Sequence, residues 1–126
     1  MSENITFDSP IANTKYGEVA GRFRNGVELF AGVPYASPPV GNLRFAAPSP
    51  LESWEGVRDA KRFSPASPQL PGEGLTDRFP VLWDEDCLYL NVVTPASDDK
   101  KRPVYVWIHG GAYRRGCLLY TSDAAD

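Results

Sequence analysis

The residues best suited to chemistry stand together at His109-Gly110-Gly111-Ala112, directly after the apolar run Pro103 to Ile108. Glycine has no Cβ, so a backbone that carries two in a row can turn sharply and approach a ligand closely. N–H groups freed by such a turn can point at the negative charge that develops on a carbonyl oxygen during acyl transfer, which is how an oxyanion hole is made. The same residues also fit a plain Gly-Gly turn that ends a strand. His109 is the only histidine of the chain, and an imidazole is the side chain whose ordinary titration range suits a general base.

The elements that must position this stretch read as follows. Pro103 to Ile108 is rich in β-branched and aromatic residues, the pattern of a strand buried on both faces in a parallel sheet. Cys87 to Pro95 reads as its predecessor, antiparallel to it across the polar turn Ala96 to Lys101, with Leu88, Leu90 and Val92 on one face. At the other end, Ile11 to Asn13 and Gly17 to Arg24 read as short strands. Asn25-Gly26 then signals a type I′ hairpin, because both central positions need positive φ, and Val27 to Val33 returns. Pro38-Pro39-Val40-Gly41 excludes a regular element, so an ordered loop is expected, held by Tyr35 and Phe45. Trp54 reads as a packing anchor, Gly56 to Ala60 as one more short strand, and the proline-rich stretch Phe63 to Trp83 as a long surface excursion.

Composition narrows the function classes. The chain has 126 residues, 42% of them hydrophobic and 23% charged, enough for one modest core. A net charge of -3 with no basic cluster argues against nucleic acid. No apolar run is long enough to span a membrane, and the first residues show neither the basic start nor the apolar core of a signal peptide, so a cytoplasmic location is expected. Cys87 and Cys117 are too few for a disulfide framework.

Ordered blocks of the sequence carry a resemblance: Phe30-Ala31-Gly32-Val33-Pro34-Tyr35-Ala36, Pro38 to Phe45, Trp54-Glu55-Gly56-Val57-Arg58-Asp59-Ala60, Pro68-Gln69, Glu85 to Val92, and Pro103 to Tyr113. In this order and spacing the chain resembles the type-B carboxylesterases of the α/β-hydrolase fold, which include the cholinesterases. The resemblance implies an α/β class and the N-terminal portion of that fold, antiparallel N-terminal strands leading into the central sheet. It implies that the backbone N–H groups of Gly111 and Ala112 are oxyanion donors, that His109 and Gly110 support the oxyanion loop rather than act as base, and that Arg44 and Glu85 form a structural ion pair. Where many relatives have a cysteine that bridges to the equivalent of Cys87, this chain has Ser67, so Cys87 is expected to be a buried free thiol in a reducing compartment. Cholinesterases carry a choline-binding tryptophan at the position of Asp77, and Trp83 is out of register, so a broad carboxylesterase is implied instead.

A family enzyme needs a Ser-His-Glu/Asp triad with its serine on a Gly-x-Ser-x-Gly elbow. No such motif occurs in this sequence. The expectation is therefore the N-terminal part, residues 1–116, of a longer enzyme that hydrolyses small carboxylic esters through an acyl-serine with no cofactor and no metal, the part itself being inactive. Residues 117–126, CLLYTSDAAD, match the translation of TGT CTC TTA TAC ACA TCT GAC GCT GCC GAC, which resembles a transposon-end sequencing adapter, and are expected to be non-native. The alternative function is a non-catalytic adhesion or binding protein of the same fold.

Overall fold

The computed structural model describes residues 9–70 and 82–117. Strand β1, Ile11–Thr14, pairs antiparallel with β2, Gly17–Ala20, in the register Ile11↔Ala20 to Thr14↔Gly17. The turn between them is closed by Thr14, whose Oγ1 accepts from the N–H groups of Tyr16 and Gly17 at 3.1 and 3.2 Å and donates to Gly17 O at 2.7 Å. A hydroxyl one step from the backbone satisfies turn amides that the ladder leaves over.

The single strand expected over Gly17 to Arg24 is instead two, because the chain changes sheet at Gly21. Its N–H still donates to Pro10 O at 2.8 Å, in line with the β1–β2 register, and the next residue begins the other sheet. A Cβ at Gly21 would collide with the Leu29 carbonyl and come within 2.8 Å of the Phe30 ring. Only glycine lets the strands cross this closely. Past it, β3, Arg22–Arg24, turns through Asn25 (φ 49) and Gly26 (φ 78) into β4, Val27–Pro34. Both turn residues sit in the left-handed region, as a type I′ hairpin requires.

Strand β5, Val57–Asp59, joins β2 in parallel, and β6, Tyr89–Thr94, joins β4 antiparallel. The sheets are therefore β1-β2-β5 and β3-β4-β6. They are stitched at the irregularity of β4 between Phe30 and Val33. There Ala31 donates to Ala60 O at 2.7 Å, while the Gly32 N–H is taken by Asn91 Oδ1 at 3.0 Å. Val19, Phe30 and Ala60 form the core between the sheets, with Ala12, Val33 and Trp54 packed on it. Trp54 anchors its loop as expected: Nε1 donates to Glu18 O at 2.9 Å and the ring packs against Gly17 where a Cβ would stand.

Elsewhere the structure corrects the sequence reading. Pro103 to Ile108 forms no strand, and Val104, Tyr105 and Ile108 are each 85% exposed. A strand buried on both faces exists only between neighbours, and none of the described residues forms a ladder with this run. The antiparallel pairing expected with β6 is correspondingly absent. On β6 the apolar alternation is present, but Leu90 and Val92 lie on its more open face. Phe45 does not hold its loop, being 95% exposed at φ 60, and Tyr35 is half exposed. The proline loop is tied by polar contacts instead: Ser37 N–H to Ser49 O at 3.1 Å, Ser37 Oγ to Pro50 O at 2.7 Å, and the short 3₁₀ turn Gly41–Leu43.

Candidate active site

The glycine stretch folds into a tight turn of unusual backbone. Gly111 (φ 135), Ala112 (φ 54) and Tyr113 (φ 60) all have positive φ. Gly111 O accepts from Arg114 N–H at 3.0 Å and Arg115 N–H at 3.2 Å, and a Cβ at Gly111 would collide with the Arg115 carbonyl. Glycine is thus obligatory at 111, whereas Ala112 and Tyr113 hold a conformation that costs an L-residue roughly 1–2 kcal/mol each. Strain of this kind persists where surrounding contacts over-determine the backbone, and it clusters at functional turns. The N–H groups of Gly111 and Ala112 donate to no acceptor among the described residues. Among the described residues the turn therefore leaves adjacent donors unpaired.

His109 precedes this turn, half-buried, with Nδ1 2.9 Å from Gly110 O. The contact is a hydrogen bond in the tautomer that carries the proton on Nδ1, since a carbonyl can only accept. No carboxylate lies within ion-pairing reach of His109 among the described residues. A general base needs a partner that orients its ring, and the hydrogen-bond contact of the His109 ring among the described residues is the backbone carbonyl of the next residue.

At the exit of the turn stands a contact the sequence reading did not assign. The Gln69 side chain holds the backbone of Gly116 from both sides, Oε1 accepting from Gly116 N–H at 2.9 Å and Nε2 donating to Gly116 O at 2.9 Å. Pro68-Gln69 is visible in sequence, but no local spacing rule connects it to a glycine 47 positions away.

The turn borders a cavity of about 660 Å³, whose walls include His109, Gly116, Ser67, Cys87, Tyr35 and Tyr89. Cys87 is half-buried rather than buried, and both cysteines are free. Burial pushes the Cys87 thiol above its ordinary range, with the Asp86 and Asp84 carboxylates adding to the effect. The cysteine is thereby kept protonated and unreactive near neutrality. Burial likewise raises the phenols of Tyr35 and Tyr89. The cavity wall is accordingly uncharged on these side chains.

Arg44 Nε lies 2.7 Å from Glu85 Oε1, tying the proline loop to the segment before β6. The two side chains are 60% and 40% exposed, so the pair is a solvated one. The base of the long excursion is closed by Ala66, which donates to Leu82 O at 2.8 Å and accepts from Asp84 N–H at 3.0 Å beside Trp83. Asp77, with the reading of choline specificity that rests on it, lies outside the described residues.

With this geometry in hand, comparison with known proteins is informative. The sequence profile of the carboxylesterase family matches residues 8–120. The chain is similar to phenmedipham hydrolase of Pseudarthrobacter oxydans, 46% identical over 124 residues, covering 93% of this chain and 24% of that protein. It is similar to para-nitrobenzyl esterase of Bacillus subtilis (strain 168), 48% identical over 108 residues, covering 84% of this chain and 22% of that protein. A solved PNB esterase structure matches with a TM-score of 0.77 at 47% identity, over 85% of this chain and 22% of its own. The chain thus spans less than a quarter of the length of these relatives.

Proposed function

The chain belongs to the carboxylesterase family of α/β-hydrolase proteins, and from that premise we propose that it supplies the oxyanion hole of an enzyme that hydrolyses small carboxylic esters. The observation that carries this reading is the pair of N–H groups at Gly111 and Ala112, unpartnered among the described residues and held at positive φ in a turn whose ends, His109 and Gly116, line the cavity.

In the proposed reaction a serine hydroxyl attacks the ester carbonyl carbon, its proton passing to a base, and the carbonyl oxygen becomes an oxyanion. The donors at Gly111 and Ala112 lie where that charge develops and cost no reorganisation when it appears; losing one such donor slows acyl transfer by roughly 10²- to 10³-fold. Collapse of the tetrahedral species expels the alcohol and leaves an acyl-serine, which water then hydrolyses by the reverse sequence. Neither the serine elbow nor a second histidine is in this sequence. Both are supplied, in this reading, by a chain of family length.

The free thiol of Cys87 and a serine at position 67 support a cytoplasmic protein. Residues 117–126 are read as non-native, a proposal that resequencing across codon 116 with an unrelated library adapter tests directly.

The functional test is an assay of two proteins on p-nitrophenyl acetate, with fluorophosphonate labelling alongside. The 126-residue chain is expected to show neither turnover nor label, and the complete gene product both. Turnover by the 126-residue chain above the buffer rate would place the nucleophile within it and overturn the proposal.

A further inference from the structure

The grip of Gln69 on Gly116 uses a property peculiar to a carboxamide. Donor and acceptor sit side by side, so one side chain can pair with both polar groups of a single residue, as a neighbouring strand would. A carboxylate offers acceptors only, and an apolar side chain offers neither. In addition, Nε2 donates to Ser67 O at 3.1 Å, which fixes the amide's orientation from its own side of the cavity.

What Gln69 holds is the base of the oxyanion turn. Gly116 is buried at φ 118, and a Cβ there would strike His109 Nδ1 and lie 2.6 Å from Gly110 O. The exit of the turn is thus packed against its entrance with no intervening atom. Between these points run Gly111 and Ala112, whose free N–H groups depend on the angle at which the turn is closed. A turn carrying successive strained residues opens when its ends are not held.

We propose that Gln69 is a positioning residue for ester hydrolysis: by hydrogen bonding both backbone groups of Gly116 it closes the Gly110-to-Gly116 turn and keeps the donors of Gly111 and Ala112 aimed at the oxyanion. This rests on the oxyanion reading given above. Gln69 touches no substrate in this role. Its effect is confined to the transition state, because the oxygen carries full charge only there.

The test uses the complete enzyme and the variants Gln69→Glu and Gln69→Met. Gln69→Glu keeps the acceptor and removes the donor; Gln69→Met keeps length and volume and removes both, and serves where the added charge prevents folding. Misaiming of the donors is expected to lower kcat about 10- to 100-fold. KM should stay within about twofold, since ground-state binding is untouched. The affinity of a trifluoromethyl ketone, which forms a tetrahedral adduct, should fall by the same factor as kcat, while that of the product alcohol should not change. A purely structural role would lower the melting temperature and leave the ratio of ketone to alcohol affinity as it was. A folded variant with kcat within twofold of the parent, or with ketone affinity unchanged, overturns the proposal. If the parent enzyme itself binds the ketone no better than the alcohol, the oxyanion reading fails as well. If the parent binds it tightly and the variants do too, only the role of Gln69 fails.

Discussion

Two apolar stretches of this chain have met opposite fates. Val27 to Val33 reads as the returning strand of a hairpin, and Pro103 to Ile108 as a strand buried on both faces. The first is strand β4, with Leu29, Phe30 and Ala31 at 3%, 3% and 0% exposure, paired on both edges by β3 and β6. The second is irregular and open to solvent. The difference lies in the neighbours and not in the residues. One partner of β4, the strand β3, is brought in by the local Asn25-Gly26 turn, and the other, β6, returns from far along the chain. Pro103 to Ile108, in contrast, pairs neither with β6 across the short turn before it nor with any other described strand. A parallel strand depends on elements that return after a crossover. Burial is then a property of the sheet, and the sequence of one strand specifies only a readiness for it.

The comparison can be pressed by experiment. The largest expected effect is on function: Gly111→Ala forces a Cβ into the Arg115 carbonyl at a φ that side chains avoid. Rebuilding the turn should remove the donors and cut kcat of the complete enzyme by about 10²- to 10³-fold, measured on p-nitrophenyl acetate. Next comes paired truncation in the two stretches. Phe30→Ala should cost about 3–5 kcal/mol in denaturant unfolding of the 126-residue chain, enough to remove any cooperative transition, while Ile108→Ala in the same chain should change stability by less than about 0.5 kcal/mol. Equal effects would erase the contrast drawn here.

A subtler effect concerns Cys87. Because burial and the Asp86 and Asp84 carboxylates raise its pKa in the folded state, folded protein holds the thiol proton more tightly than unfolded protein does. Its contribution to stability is present below the unfolded thiol pKa and is lost as pH rises through the folded value. Alkylation by iodoacetamide should accordingly show its midpoint above that of a free thiol, and Asp86→Asn should move it down. A midpoint at or below the free-thiol value would show that the site does not disfavour the thiolate. The smallest expected effect is at the solvated pair: Arg44→Ala should cost no more than about 1 kcal/mol, shrinking further in high salt.

Much of this fold could be read in advance where its causes are local. The Asn25-Gly26 hairpin announced itself because few residues accept positive φ in succession, and the strands on either side inherit their register from it. Trp54 was legible as an anchor because a large ring with one polar handle, set among prolines, has little else to do. The break at Gly21 was not legible. It exists because Leu29 and Phe30 of another strand press on the backbone, a tertiary fact written nowhere near position 21. Phe45 misled for the complementary reason: its hydrophobicity promised burial, and its neighbours left it in solvent with Arg44 stacked 5.0 Å above the ring. At the candidate site, His109 to Ala112 could be singled out from glycine spacing and family resemblance. The hold of Gln69 on Gly116 could not, because a long-range hydrogen bond to backbone leaves no periodic trace in sequence.

The central claim is that backbone donors of a strained turn receive the oxyanion of an ester substrate. It is tested most directly by a crystal structure of the complete enzyme carrying a trifluoromethyl ketone as a tetrahedral adduct. The account expects the adduct oxygen at hydrogen-bond distance, about 2.7–3.1 Å, from the backbone nitrogens of both Gly111 and Ala112. An adduct whose oxygen lies beyond hydrogen-bond reach of both nitrogens, held by other groups, would contradict it.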